Sequence, residues 1–124
     1  MVLVIDDEEI IRSTANVVLG GLGYSVVTAA DGKEGIETLC SLKDQIAVVL
    51  LDMTMPGMSG EEILRELQKI RPGVALVLSC GFGKAEALRR FGLYQVAGFL
   101  QKPYSMKMLA ECVHEAAANV TSRP

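Results

Sequence analysis

Hydrophobic residues follow two alternating rhythms along this chain. Residues 2–5, 25–29, 47–51, 74–78 and 97–100 are short runs, mostly β-branched or aliphatic, bounded by turn or charged residues, and each predicts a strand. Between the runs, apolar positions step around one helical face: Ile11, Ala15, Val18 and Leu22, then Ile36, Leu39 and Cys40, then Ile63, Leu64, Leu67 and Ile70. A fourth helix is placed at about 84–91, and Leu109, Val113 and Ala116 mark the last. Asp31 with Glu34 and Ser59 with Glu62 are spaced as capping boxes, while Gly20, Gly21 and Gly23 suit a helix end. The order is βαβαβαβαβα. Strands that are almost continuously apolar and alternate with helices imply an α/β fold, with a parallel sheet covered on both faces and joined by right-handed crossovers.

Composition narrows this picture. A chain of 124 residues that is 50% hydrophobic is the size of one ordinary domain, so 1–124 is expected to form a single unit with its core at about 2–118. A formal charge of −3 without a run of Lys or Arg leaves no electrostatic footprint for nucleic acid or an anionic membrane surface. No apolar stretch approaches the roughly 20 residues of a membrane span, and the first strand leaves no room for a signal peptide, so a cytoplasmic setting is expected. Cys40, Cys80 and Cys112 are odd in number and lack a CxxC pair, which favours buried small hydrophobes over a disulfide or zinc site.

Ligands of an open doubly wound sheet bind beyond the carboxyl ends of its strands. Asp6 and Asp7 end the first strand, Asp52 the third and Ser79 the fourth, while Lys102 and Pro103 end the fifth. Three carboxylates at one edge repel one another and raise each other's pKa unless a cation is present. An all-oxygen set with few carboxylates and room for water suits Mg²⁺, with Asp7 and Asp52 as direct ligands and Asp6 acting through water. A carboxylate can also attack phosphorus, which makes Asp52 the candidate nucleophile. Phosphoryl transfer needs mostly positioning and charge neutralisation, so the metal and the Lys102 ammonium would each hold an equatorial oxygen, with the Ser79 hydroxyl donating to another.

The acidic pair in VLVIDDE, the segment LLDMTMPGMSG around Asp52, Ser79 after VL, and FLQKP around Lys102 and Pro103 together resemble a response-regulator receiver domain from Val2 to about Ala118. The resemblance implies a flavodoxin-like (βα)5 fold with strand order 2-1-3-4-5. It also implies Mg²⁺ at Asp7, Asp52 and the backbone carbonyl of Thr54, and a histidine kinase or phosphotransfer domain as phosphoryl donor. Such a module is not a turnover enzyme on external substrates; it supports only its own phosphorylation and dephosphorylation. Ser79 would swing toward the phosphoryl group and Phe99, three residues before the lysine, would turn inward, although Phe99 lacks the hydroxyl of the tyrosine often found there. Thr54 and Gly81 stand where the family tunes loss of the phosphoryl group, and a slow to moderate loss is expected. The Lys102–Pro103 bond is expected to be cis on the same resemblance. The partner face would join the fourth helix, fifth strand and fifth helix, including Phe99, Tyr104 and Lys107. The stretch from Ser79 to Ser105 is similar to receivers attached to hybrid sensor kinases, which would make the output a covalently linked or downstream signalling domain.

Each residue also has a plainer reading. Asp6 and Asp7 can simply favour a helix N-terminus, Asp52 can be a loop carboxylate, and Pro56, Gly57 and Gly60 are ordinary turn residues. Ser79 can be a small strand end and Lys102 a solvated lysine. His114 reads as helix surface, Gly81 and Gly83 as a loop without the P-loop pattern, and Met53, Met55 and Met58 as either loop packing or a contact surface. Two other functions fit parts of the pattern. An aspartyl-nucleophile phosphohydrolase usually has an acid two residues after the nucleophile, where this chain has Thr54. A degenerate receiver-like binding module would be expected to lack part of the acidic, aspartate and lysine set, all of which is present.

Overall fold

The structure is a computed structural model that describes residues 1–81 and 83–122, with side chains 84, 93 and 119–122 outside the description. Five strands, β1 (Val2–Ile5), β2 (Val26–Ala29), β3 (Val48–Asp52), β4 (Ala75–Cys80) and β5 (Gly98–Gln101), alternate with five helices. The helices are α1 (Glu9–Gly21), α2 (Gly32–Leu42), α3 (Gly60–Ile70), α4 (Lys84–Phe91) and α5 (Met106–Ser122). All strand pairings are parallel, in the order β2-β1-β3-β4-β5. Order and class agree with the expected doubly wound sheet.

Strand alternation divides the core. Leu3, Ile5, Val49, Leu51, Leu76 and Leu78 point to one face, where Leu39 of α2, Ile63, Leu64 and Leu67 of α3 and Phe91 of α4 cover them. Val2, Val4, Val48, Leu50, Ala75 and Val77 point to the other, under Ala15 and Leu19 of α1 and Leu109, Val113 and Ala116 of α5. The three inner strands are buried along their length, which is why they read as continuous apolar runs.

Several local expectations need correction. β3 and β4 run past the apolar runs that mark them, β3 to Asp52 as expected and β4 to Cys80, one residue beyond Ser79; Asp52 pairs with Ser79 inside the ladder and the Met53 amide still bonds to the Ser79 carbonyl at 2.9 Å. The buried stripe of α1 is Ala15 and Leu19; Leu22 has left the helix as its C-cap and is 56% exposed. Cys40 is exposed and Cys112 half-buried, so only Cys80 is the buried hydrophobe expected of all three. Both predicted caps form one bond, from the Glu34 amide to Asp31 at 2.8 Å and from the Glu62 amide to Ser59 at 3.1 Å. Of the return arms, Glu34 reaches the Ala30 amide, one residue before the cap, at 3.4 Å. Gly23, at φ +96°, makes the left-handed turn after α1. Met55 lies in the core with Met53 and Met58 packed against it, so these methionines are loop packing.

Candidate functional site

The carboxyl edge of the sheet draws its chemistry from one side-chain parity. Asp6 continues the alternation of Val2 and Val4, Asp52 that of Val48 and Leu50, Ser79 that of Ala75 and Val77, and Lys102 that of Gly98 and Leu100. All four therefore rise on the α1/α5 side. Phe99, of opposite parity, packs against the cluster under α2, α3 and α4. Ser79 and Phe99 thus leave the sheet on opposite faces.

Lys102 joins the acids. Its Nζ lies 3.1 Å from Asp6 Oδ2, 3.1 Å from Asp52 Oδ2 and 3.9 Å from Glu8 Oε1. Asp6 and Asp52 are buried, and the lysine is mostly covered. The Lys102–Pro103 peptide bond is cis. Asp52 Oδ1 accepts the Thr54 amide at 2.9 Å and the Thr54 hydroxyl at 2.7 Å, which fixes the carboxylate rotamer. Asp6 Oδ1 accepts the Glu8 amide at 2.9 Å, and its carbonyl accepts Arg12 Nη1 at 2.8 Å.

The electrostatics follow from this geometry. Burial raises the Asp6 carboxyl and the charge of Asp52 adds to it; the Glu8 amide and Lys102 oppose without cancelling, so its pKa stands above the usual aspartate value. Burial raises Asp52 as well, but the two bonds from Thr54 and the one from Lys102 outweigh it, and its pKa stands below the usual value. Burial lowers the Lys102 ammonium, yet Asp6 and Asp52 hold it above the usual lysine value. Tyr104 is pushed up to about 12, first by burial and then by the charge of Asp6, while Lys102 and Ser79 draw it down.

Asp6, Asp7 and Glu8 each place a carboxylate oxygen within 4.8 Å of the others, with Asp7 and Glu8 exposed. Asp52 is not in that group; its oxygens are turned to Thr54 and Lys102. The set is all oxygen and partly open to solvent, and the charge of Asp52 adds to burial in raising Asp6. That chemistry fits a hard divalent cation.

Sequence reasoning missed three participants. The Thr54 hydroxyl grips Asp52 directly, and Glu8 completes the acidic group; adjacency to Asp52 and to the acidic pair was the available signal. The resemblance places Tyr104 on the partner face without a part in the site; it packs against the α1/α5 cluster, with its hydroxyl buried. Lys107, in contrast, is solvated, and His114 and Gly81 are exposed. Among the described residues, no helix is long and apolar enough to cross a membrane.

A family model described as the response regulator receiver domain matches residues 2–114. Among curated proteins, the chain is 35% identical over 114 residues to "Sensor kinase CckA" of Brucella abortus, covering 92% of this chain and 12% of that protein. It is 30% identical over 117 residues to "Transcriptional regulatory protein GlrR" of Escherichia coli, covering 92% of this chain and 25% of that one. The chain therefore spans a quarter or less of these two relatives. Among solved structures, a response regulator receiver domain protein from Clostridium thermocellum superposes with a TM-score of 0.88 at 32% identity, covering 97% of this chain and 95% of that one.

Proposed function

Because the chain belongs to the response regulator receiver domain family of two-component signalling, we propose that it accepts a phosphoryl group on Asp52 with the help of Mg²⁺. The observation that carries this reading is the Lys102 ammonium held 3.1 Å from both Asp6 and Asp52 at the carboxyl edge of the sheet, with Ser79 beside Asp52 in register. Asp52 is kept ionised by Thr54 and Lys102, and an ionised carboxylate is the nucleophilic form.

In the proposed step, an Asp52 carboxylate oxygen forms a bond to phosphorus while the P–N bond of a phosphohistidine breaks. The imidazole leaves with the electron pair and takes up a proton. Lys102, paired with Asp52 beforehand, neutralises charge on the transferred group, and Ser79 donates its hydroxyl proton to a phosphoryl oxygen. Thr54 keeps the other carboxylate oxygen anchored. Receiver domains bind Mg²⁺; here Asp7 and Asp52 would ligate directly, with the Thr54 carbonyl, and Asp6 through water. That ion supplies positive charge to the acidic cluster and to the phosphoryl oxygens.

The donor is proposed to be a histidine kinase or phosphotransfer domain. A groove of about 260 Å³ runs beside the site between α1 and the loop after β5, lined by Glu8, Ile10, Lys102, Pro103 and Tyr104. Ile10 is 74% exposed at its edge, an apolar contact next to the reacting acid. The reading takes 1–124 as one receiver unit in the cytoplasm. Signalling would pass through Ser79 and Phe99, with slow to moderate loss of phosphate, to a linked or downstream domain. Likeness to the CckA sensor kinase supports a hybrid-kinase setting.

The test is intact mass after acetyl phosphate, with and without Mg²⁺, in wild type and Asp52→Asn. A single Mg²⁺-dependent phosphoryl adduct absent from Asp52→Asn is expected. An adduct that persists in Asp52→Asn would move the acceptor elsewhere, and none in wild type would leave a binding module without phosphoryl chemistry.

A further inference from the structure

Two buried hydroxyls sit at the edge of this site, and among the described residues neither Ser79 Oγ nor Tyr104 Oη has a hydrogen-bond partner. They share the α1/α5 face. Ser79 reaches it by strand alternation, and Tyr104 by packing against the cluster that holds Leu100 and Leu109. Ser79 stands opposite Leu100 in the β4–β5 register, and Tyr104 follows Lys102 by two residues, so both approach from neighbouring strand ends. The Ser79 hydroxyl is near enough to draw down the phenol's pKa against burial and Asp6, but the two hydroxyls make no hydrogen bond of ordinary geometry.

A serine hydroxyl has one proton and two lone pairs. Once that proton is directed at a phosphoryl oxygen on Asp52, the serine oxygen becomes a better acceptor, because hydrogen bonds in series polarise one another. The phenol of Tyr104 is the donor at hand. The other tyrosines are not available for this: Tyr94 gives its hydroxyl proton to Glu61 at 2.9 Å, and Tyr24 precedes β2 at the opposite edge of the sheet. Phe99 has no hydroxyl and faces the other side.

We propose that Tyr104 is a positioning residue that donates to Ser79 Oγ when Ser79 donates to the group on Asp52, and so stabilises the loaded site over the unloaded one. The inference rests on Asp52 as phosphoacceptor and Ser79 as its hydroxyl donor. Tyr104→Phe removes one bond from the loaded state and none from the resting state. In the resting protein it removes only a buried, unpaired hydroxyl, which is neutral or stabilising.

The experiment measures beryllium fluoride affinity in Mg²⁺ for wild type, Tyr104→Phe, Ser79→Ala and the double variant, with thermal melts of each in EDTA. Tyr104→Phe is expected to bind about 3- to 10-fold more weakly, the size of one hydrogen bond, while melting in EDTA at or above wild type. The double variant should bind no more weakly than Ser79→Ala alone, because Tyr104 acts through the serine. Unchanged affinity in Tyr104→Phe overturns the inference and leaves the phosphoacceptor reading standing. So do additive losses with a lowered EDTA melt, which mark a packing role. Failure of the wild type to bind in Mg²⁺ overturns both.

Discussion

Thr54 places two donors on one oxygen of a carboxylate that is 1% exposed, so it decides how Asp52 titrates. Asp52 is depressed in the folded protein, and its ionised form adds stability above the ordinary aspartate value of about 4. That stability is lost as pH falls through the depressed folded value. Thr54→Val removes the hydroxyl bond and is expected to cost about 1 kcal/mol at pH 7, with the deficit shrinking as Asp52 protonates; urea unfolding across pH checks it. Asp6 has the opposite sign. Its pKa is raised chiefly by burial, so its stabilising contribution is complete below the unfolded value and is lost as pH rises through the folded one. Asp6→Asn imitates the protonated form and is expected to raise the melting temperature at pH 7 in EDTA, with no gain at low pH. A lower melt at pH 7 would show that the Lys102 pairing outweighs burial. At this scale the strand-end residues Asp6, Asp52, Ser79 and Lys102 were legible, because alternation and a parallel sheet send them to one edge. The Thr54 hydroxyl and the Tyr104 phenol were not, since which way a turn side chain points depends on the packed structure.

Helices of this chain are attached to the sheet by close approaches as well as by apolar stripes. α2 is seated on β1 through Gly35, where an added Cβ would lie 2.4 Å from Ile5 Cδ1, 2.7 Å from Cγ1 and 3.2 Å from Cγ2. Ile5 is fully buried and β-branched, so its side chain has little freedom to withdraw. Gly35→Ala would gain about 1 kcal/mol of helix propensity, but overpacking of this kind costs about 1–3 kcal/mol. The contact with Cγ2 means that turning only the outer methyl does not relieve it, so net destabilisation is expected in urea unfolding; a stabilised variant would show that α2 slides freely on the sheet. α3 is held differently: Tyr94 bonds Glu61, and the Gln68 side chain donates to the Tyr94 carbonyl, tying α3 to the turn after α4. Helix existence was legible from the 3.6-residue rhythm, and the caps at Asp31 and Ser59 from their spacing. Gly20, Gly21 and Gly23 marked the end of α1, but the apolar runs stopped short of the full reach of β3 and β4, because ladder hydrogen bonds rather than hydrophobicity carry the strands through Asp52, Ser79 and Cys80.

The molecule as a whole puts one well-packed sheet beneath a charged edge. The βα alternation made the α/β class legible from rhythm alone, whereas strand order came only through the family resemblance, because a parallel sheet of five strands can be threaded in more than one right-handed way. Asp6, Asp7 and Glu8 gather carboxylates at that edge, and Lys102 pairs with Asp6 and Asp52 there. A cation that binds the folded edge and not the unfolded chain therefore stabilises by mass action. At ten times its Kd the gain is about 1.4 kcal/mol, which is several degrees in the melting temperature of a domain of roughly this size. Mg²⁺ is expected to give that shift at pH 7 and NaCl matched in ionic strength a smaller one, since screening reaches the exposed Asp7 and Glu8 but weakens the buried Asp6 and Asp52 little. Asp7→Asn should reduce the Mg²⁺ shift, because it removes a proposed ligand and leaves Lys102 with both of its buried partners. Protons compete for the same oxygens, so the shift should fade as pH is lowered through the carboxylate range. A melting temperature that does not move with millimolar Mg²⁺ at pH 7 would overturn the proposed cation site, since an ion that binds only the folded edge must raise it.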